Sequence, residues 1–295
     1  MDYVIETRNL TKRYGEKIAV NQMFAHVKKG DIYGLIGKNG AGKTTLMKLI
    51  LGLSVPNAGE ISLFGNTDLN AGRKKIGSLI EAPALFKNES AFENMKRFSL
   101  LSPTSDDEIK RLLDFVGIGN TGNKKVGTFS LGMKQRLGIA IALLGAPELL
   151  VLDEPINGLD PAGIKEVRDL IVDLNRKGIT FMISSHILDE LGKIATAYGI
   201  VNEGVLEEIS AEELRKNCRS ALKIVVDDGG KAAAAIAASF PDAEFTVNGN
   251  VVEITSEVKD ASAINKALAK ADVSVYEISN EQMEFEDYFI ARLGK

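Results

Sequence analysis

One cysteine, Cys218, is all that 295 residues contain, which excludes an intramolecular disulfide and a multi-cysteine metal site and fits a reducing cytosol. Positive charge is not in excess. Lys plus Arg at 36 against Asp plus Glu at 40 gives a net charge of −4, without the basic surplus of a phosphate-backbone binder, so no nucleic-acid partner is expected. No window offers about 18 uninterrupted apolar residues, and Met1-Asp2-Tyr3-Val4-Ile5-Glu6 lacks the basic start and apolar stretch of a signal peptide. The most apolar stretch, Ile139 to Leu152, is broken by Gly145, Pro147 and Glu148 and reads as a buried helix followed by a buried strand. Any membrane role must then come through a partner. Internal repeats and low-complexity linkers are missing as well. What remains, 45% hydrophobic and 26% charged residues, is ordinary globular usage with enough chain for one large domain or two.

Glycine is unevenly spread, with 24 of 28 in residues 1–217, which places a domain boundary near Cys218. Residues 1–33 alternate apolar and polar positions around Ile18, Val20 and Phe24, and Asp31 to Gly37 reads as a short buried strand before a glycine-rich loop and an apolar helix, Thr44 to Leu53. Helical periodicity over Glu89 to Leu101, Asp106 to Val116 and Leu131 to Leu144 predicts a helical insert at about residues 82–145. Buried strands at Leu149 to Leu152 and Thr180 to Ser184, separated by an amphipathic helix from Pro161 to Lys177, imply a parallel α/β sheet. Residues 218–295 read strand, helix, strand, strand, helix, strand: Leu222 to Asp227, Gly230 to Phe240, Glu244 to Val247, Val251 to Thr255, Ala261 to Ala271 and Val273 to Ile278. That order is ferredoxin-like, with Asn248-Gly249 as a type I′ hairpin signal and a terminal helix from Glu281 to Leu293. Asp227-Asp228 reads as a solvated turn, and no catalytic cluster or ligand is assigned to this part.

The chemistry concentrates earlier. Gly37-Lys38-Asn39-Gly40-Ala41-Gly42-Lys43-Thr44-Thr45 matches GxxxxGK(S/T) between a strand and a helix, the context that confirms a P-loop. Glycines let backbone N–H groups wrap the β-phosphate, the helix N-terminus favours an anion, Lys43 bridges β and γ oxygens, and Thr44 offers a hydroxyl to Mg²⁺. Downstream, Leu149-Leu150-Val151-Leu152-Asp153-Glu154-Pro155 is an apolar strand delivering two carboxylates where α/β sheets place ligands. Asp153 can hold hydrated Mg²⁺, and Glu154 can polarise the attacking water.

Over residues 3–217 the chain resembles an ATP-binding-cassette (ABC) ATPase, a P-loop NTPase with an antiparallel β subdomain and a helical insert. Ser130-Leu131-Gly132-Met133-Lys134-Gln135-Arg136 resembles the family's signature loop, Gly158-Leu159-Asp160 its D-loop, and His186 its switch histidine. Tyr14 falls where the family stacks an aromatic ring on adenine. His26 lacks such a context and reads as structural. Two positions depart from the family pattern. Glu81, in Leu79-Ile80-Glu81-Ala82-Pro83, stands where the family usually has a glutamine contacting Mg²⁺, and the chain's only glutamines are Gln22, Gln135 and Gln282. A carboxylate there can ligate Mg²⁺, but its charge near the γ-phosphate is unfavourable unless offset. The signature reads Phe129-Ser130-Leu131-Gly132-Met133 rather than Leu-Ser-Gly-Gly-Gln, keeping the Ser130 hydroxyl and the Gly132 backbone donor. Glu81, this signature and the ferredoxin-like tail together resemble the bacitracin and lantibiotic export and immunity branch.

The resemblance implies ATP and Mg²⁺ bound between two copies arranged head to tail. One copy would contribute Tyr14, Gly37, Asn39, Gly40, Gly42, Lys43, Thr44, Thr45, Asp153, Glu154 and His186, and the other Ser130 and Gly132, with Asp160 also at the nucleotide and Thr44, Glu81 and Asp153 around the metal. It also implies a membrane-spanning permease docked near Glu81 to Asn94, which would hold the chain on the cytoplasmic face of the membrane. A soluble ABC protein clamping ribosomes or nucleic acid would call for two cassettes, a long coiled-coil insert or basic patches. This chain has one P-loop, no heptad run and net negative charge. A nucleotide-dependent regulator whose C-terminal domain binds a small ligand stays open, because ferredoxin-like folds host many functions.

Overall fold

The computed structural model describes residues 3–217, 220–254, 261–282 and 288–289. It divides into two compact units, Met1–Ala211 and Glu212–Lys295. The division falls at the start of the helix Ala211–Asn217 rather than after Asn217. Glycine usage marks loops, and a glycine-free helix gives no sign of which side it belongs to.

The first unit opens with β1 (Tyr3–Tyr14), β2 (Lys17–Met23), β3 (His26–Lys28) and β4 (Ile32–Ile36), followed by α1 (Lys43–Leu51), β5 (Ala58–Leu63), α2 (Leu69–Arg73) and β6 (Ile76–Leu79). Three helices form the insert: α3 (Ala91–Phe98), α4 (Asp106–Phe115) and α5 (Leu131–Ala142). Then come β7 (Leu149–Asp153), α6 (Pro161–Arg176), β8 (Thr180–Ser185), α7 (Leu188–Gly192), β9 (Ala197–Asn202) and β10 (Val205–Ser210). Helix starts are set by local chemistry. Ser90 and Glu93 form a reciprocal capping box on α3, and Ser105, Ser130 and Asp160 cap α4, α5 and α6 through their side chains.

β1 pairs antiparallel with β2, β3 and β5 to make one sheet. The other has the order β10-β9-β4-β8-β7-β6 and is parallel apart from β10. Every residue of β4, β7 and β8 is buried, as expected of strands covered on both faces. Register sets Ile36 beside Ser185 and Asp153 beside Ser184, so three adjacent strands end level and their following loops emerge along one edge. Helix α1 buries Leu46, Met47, Leu49 and Ile50 in a cluster shared with Ile5, Leu10 and Val20 of the first sheet and Leu35 and Val151 of the second. Each such side chain contributes about 1.5–3 kcal/mol, and together they fix the helix that carries the P-loop.

α8 (Ala211–Asn217) spans the division. The second unit continues with β11 (Ser220–Val226), α9 (Gly229–Ser239), β12 (Phe245–Asn248), β13 (Val251–Ile254), α10 (Ala261–Lys270) and β14 (Val275–Gln282). Its antiparallel order β12-β13-β11-β14 is the ferredoxin-like arrangement. Leu222, Ile224, Val252 and Ile254 of the sheet pack against Ala232, Ile236, Ile264 and Leu268 of the two helices.

Two expectations change here. Asn248 pairs with Val251, so the hairpin loop is Gly249-Asn250, and only Gly249 has a positive φ (59°). A I′ turn needs two such residues, whereas a II′ turn needs one at the first loop position. The expected helix from Glu281 also starts too early: Glu281 and Gln282 belong to β14, whose pairing runs along β11 as far as Ser220 opposite Gln282. Strand pairing overrides a polar stretch with no β-signal of its own. The rest of that expected helix lies outside the described residues, apart from Tyr288 and Phe289, which are buried with their rings edge to face. Cys218 also lies outside them. Asp227 and Asp228 are exposed just past the end of β11, as expected, and each accepts a backbone N–H: Asp227 from Ser274 N at 3.0 Å, and Asp228, capping α9, from Lys231 N at 3.0 Å.

Candidate nucleotide site

The loop from Gly37 to Gly42 joins β4 to α1. A side chain at Gly37 would place its Cβ 2.3 Å from Val201 O, and one at Gly42, where φ is +121°, would come within 2.2 Å of Ala19 O. Neither position admits any residue but glycine. Lys38, Asn39 and Gly40 are exposed, while Thr44 and Thr45 are half-buried. The Lys43 side chain is 6% exposed, and its ammonium donates to Gly37 O at 2.6 Å and Lys38 O at 3.3 Å, with Glu154 Oε1 at 3.8 Å. Burial draws the Lys43 pKa below the usual lysine range, partly countered by the Glu154 and Asp153 carboxylates. A cation held this way, at the N-terminus of a helix, is set to exchange carbonyl oxygens for those of an incoming phosphate.

Asp153 ends β7 and is buried. Its Oδ2 accepts from the Thr44 hydroxyl at 2.9 Å and its Oδ1 from the Ser184 hydroxyl at 2.6 Å. Glu154 takes a left-handed backbone (φ +51°) that non-glycine residues adopt only when the surroundings impose it. Its N–H donates to both Ser184 Oγ (2.9 Å) and Ser184 O (3.2 Å), a turn that brings its carboxylate to Lys43 and to His186 Nδ1 at 2.7 Å. Lys43, Thr44, Asp153, Glu154 and His186 therefore meet at the level ends of β4, β7 and β8.

The remaining candidates make other contacts. Tyr14 is half-exposed, with Lys12 Nζ 5.0 Å from its ring centre and its hydroxyl 3.3 Å from Ser54 Oγ. Ser130 and Gly132 sit at the start of α5, where Ser130 Oγ accepts from Met133 N at 3.2 Å. Leu131 packs toward Gly158, and Leu159 toward Gly132, so the signature and D-loop segments adjoin. Asp160 Oδ1 is engaged as a cap, accepting from Gly163 N at 3.1 Å. Glu81, expected beside Thr44 and Asp153 at the metal, bonds to Lys48. Its two-thirds-exposed carboxylate pairs with Lys48 at 2.8 Å, and this hydrogen bond holds its pKa below the usual carboxylate range. His26 is structural as expected, with Nδ1 2.7 Å from Glu208 Oε2. Among the described residues no group of three or more His, Cys, Asp or Glu side chains could hold a metal ion, and no helix is long and apolar enough to cross a membrane.

The ABC transporter family profile matches residues 20–157, the span from β2 through the carboxylate pair. The bacitracin transport ATP-binding protein BcrA of Enterococcus faecalis is 41% identical over 300 residues, covering 100% of this chain and 97% of that protein. The chain belongs to the ABC transporter ATP-binding proteins. The lantibiotic transport ATP-binding protein SrtF of Streptococcus pyogenes is 47% identical over 201 residues, 68% of this chain and 88% of that protein. A crystal structure of the ADP conformation of an ABC transporter's ATP-binding cassette superposes with a TM-score of 0.66 at 26% identity, covering 72% of this chain and 93% of that one. This ABC ATPase binds and hydrolyses ATP and works with membrane permease components, as members of the family do.

Two residues of this ABC ATPase site escape sequence reasoning. Ser184, which joins Asp153 to the Glu154 backbone, differs in no visible way from other strand serines. Its only signal is a place at the end of a buried strand, two residues before His186. Lys48 lies four residues after Thr44 on α1, a spacing that sets both on one helix face.

Proposed function

We propose that this ABC ATPase powers export of a peptide antibiotic, acting as a head-to-tail dimer beneath a membrane permease. The observation that carries the hydrolytic reading is the convergence of Lys43, Glu154 and His186 beside the hydrogen-bonded Thr44–Asp153 pair. Thr44 and Asp153 offer two hard oxygen donors and would hold Mg²⁺, a fit their chemistry supports. When bound, that ion offsets phosphate charge. Lys43 binds the β and γ oxygens, Glu154 accepts a proton from the attacking water, and His186 orients Glu154 through its ring nitrogen. Ser130 and Gly132 of a second copy would cap the γ-phosphate, with Asp160 next to them, while Tyr14 stacks on adenine.

The cargo class rests on relatives named for bacitracin and lantibiotic transport, and the bacitracin match runs through the second unit as well. Docked on a permease, the chain would sit at the cytoplasmic face of the membrane. The test is purification of Glu154→Gln from detergent-solubilised native membranes with ATP present. A stable dimer together with a polytopic membrane protein is expected, while ATP turnover falls about 10²-fold or more. Recovery with ribosomes, with nucleic acid or with no partner overturns the transporter reading, and full turnover in Glu154→Gln removes Glu154 as the base.

A further inference from the structure

Three features meet at Lys48. Its ammonium lies 2.8 Å from Glu81 Oε1, bridging α1 to the segment that leaves β6. Its carbonyl accepts from Leu53 N at 2.8 Å and Ser54 N at 3.2 Å, and Ser54 Oγ in turn lies 3.3 Å from the Tyr14 hydroxyl. Its position four residues after Thr44 sets it one turn below the P-loop hydroxyl that bonds Asp153. Glu81 holds a left-handed backbone (φ +60°), which a glutamate adopts only when something external holds it there. Lys48 also feels the field of Asp153, so a carboxylate held on Lys48 adds negative charge on the side of a bound triphosphate unless a cation answers it.

We propose that Lys48 is a positioning residue for ATP hydrolysis: it holds Glu81, offsets its charge, and ties the segment entering the helical insert to the helix that carries the P-loop. The pair takes up the place where the family usually has a neutral glutamine, so Lys48 compensates within the chain for a charge that glutamine does not carry. Electrostatics agree: the hydrogen bond to Glu81 raises the Lys48 pKa, with the fields of Glu81, Tyr14 and Asp153 acting in the same direction. This inference rests on the reading that Lys43, Thr44, Asp153 and Glu154 carry hydrolysis. It is tested separately from that reading, because full turnover in Glu154→Gln would refute the catalytic assignment whatever Lys48 does.

The experiment measures ATP hydrolysis by the full chain at low and high salt for the wild type, Lys48→Met, Lys48→Met/Glu81→Gln and the charge swap Lys48→Glu/Glu81→Lys. The pair is exposed, so its effect is modest: Lys48→Met should lower kcat about two- to fivefold with KM for ATP nearly unchanged. The neutral double variant should recover most of that loss. Salt should depress the wild type more than the double variant, because screening acts on the ion pair and not on a neutral one. A fold defect at Lys48 cannot imitate this pattern, since the second substitution restores charge balance and no packing. An unchanged kcat in Lys48→Met, a double variant no better than the single one, or an effect confined to KM would each overturn the proposal.

Discussion

Among the described residues, every buried polar side chain belongs to the first unit, Lys43, Asp153, Ser184 and Ser185 among them, while the core of the second unit is wholly apolar. Backbone strain follows the same division. Of the described non-glycine residues with positive φ, only Asp272 lies in the second unit, whereas Glu154 at the nucleotide site and Glu81, paired with Lys48, hold that conformation in the first. Burying a polar group costs about 1–3 kcal/mol unless it finds a partner. The cassette meets that cost by binding its buried groups to one another, Thr44 and Ser184 to Asp153 and Lys43 to loop carbonyls. On α5, by contrast, Gln135 Oε1 is buried without a hydrogen-bond partner. The contrast separates a unit whose interior is arranged for phosphate chemistry from one held together by packing.

The sharpest test of that contrast is Ile224→Ala. Ile224 is fully buried between β13 and β14, and its truncation should remove about 2–5 kcal/mol of stability from the second unit, read by denaturant unfolding. Turnover per folded chain should stay within about twofold, because no chemistry is assigned to that core. A collapse of kcat at full folding would break the comparison. Lys43→Ala should weaken nucleotide binding about 10- to 100-fold by calorimetry, the loss of charge-assisted hydrogen bonds to phosphate. Unaltered affinity would reduce this buried cation to a structural role. A smaller effect is expected of Ser184→Ala, which leaves Asp153 Oδ1 without its 2.6 Å donor and the Glu154 N–H without one of its acceptors. It should lower kcat about five- to thirtyfold with nucleotide affinity nearly kept. A fall in affinity instead would place Ser184 in binding rather than in orienting the carboxylates.

Much of this site is legible in the sequence because its signals are local. The P-loop is a run of nine residues flanked by a strand and a helix, and the capping residues Ser90, Ser105, Ser130 and Asp160 announce their helices by type alone. The short strands β6, β9 and β10 give weaker patterns, and their existence depends on neighbours far along the chain. The same holds for the end of β14, where Gln282 is a strand residue only because Ser220 lies opposite it. Glu81 illustrates the limit most clearly: its identity marks a departure from the family, yet its partner, Lys48, is 33 residues away.

By itself, then, the sequence determined which chemical groups exist: a phosphate loop that tolerates only glycine at key positions, a lysine, two carboxylates at a strand end and a histidine after another strand. Only the tertiary structure decided how they meet. Inserting β8 between β4 and β7 set Ser184 beside Asp153 and carried His186 to Glu154, across 31 and 32 residues of chain. The physical reason is that residue type and spacing fix local hydrogen bonds and periodicity, whereas strand order is settled by burial and pairing summed over the whole sheet.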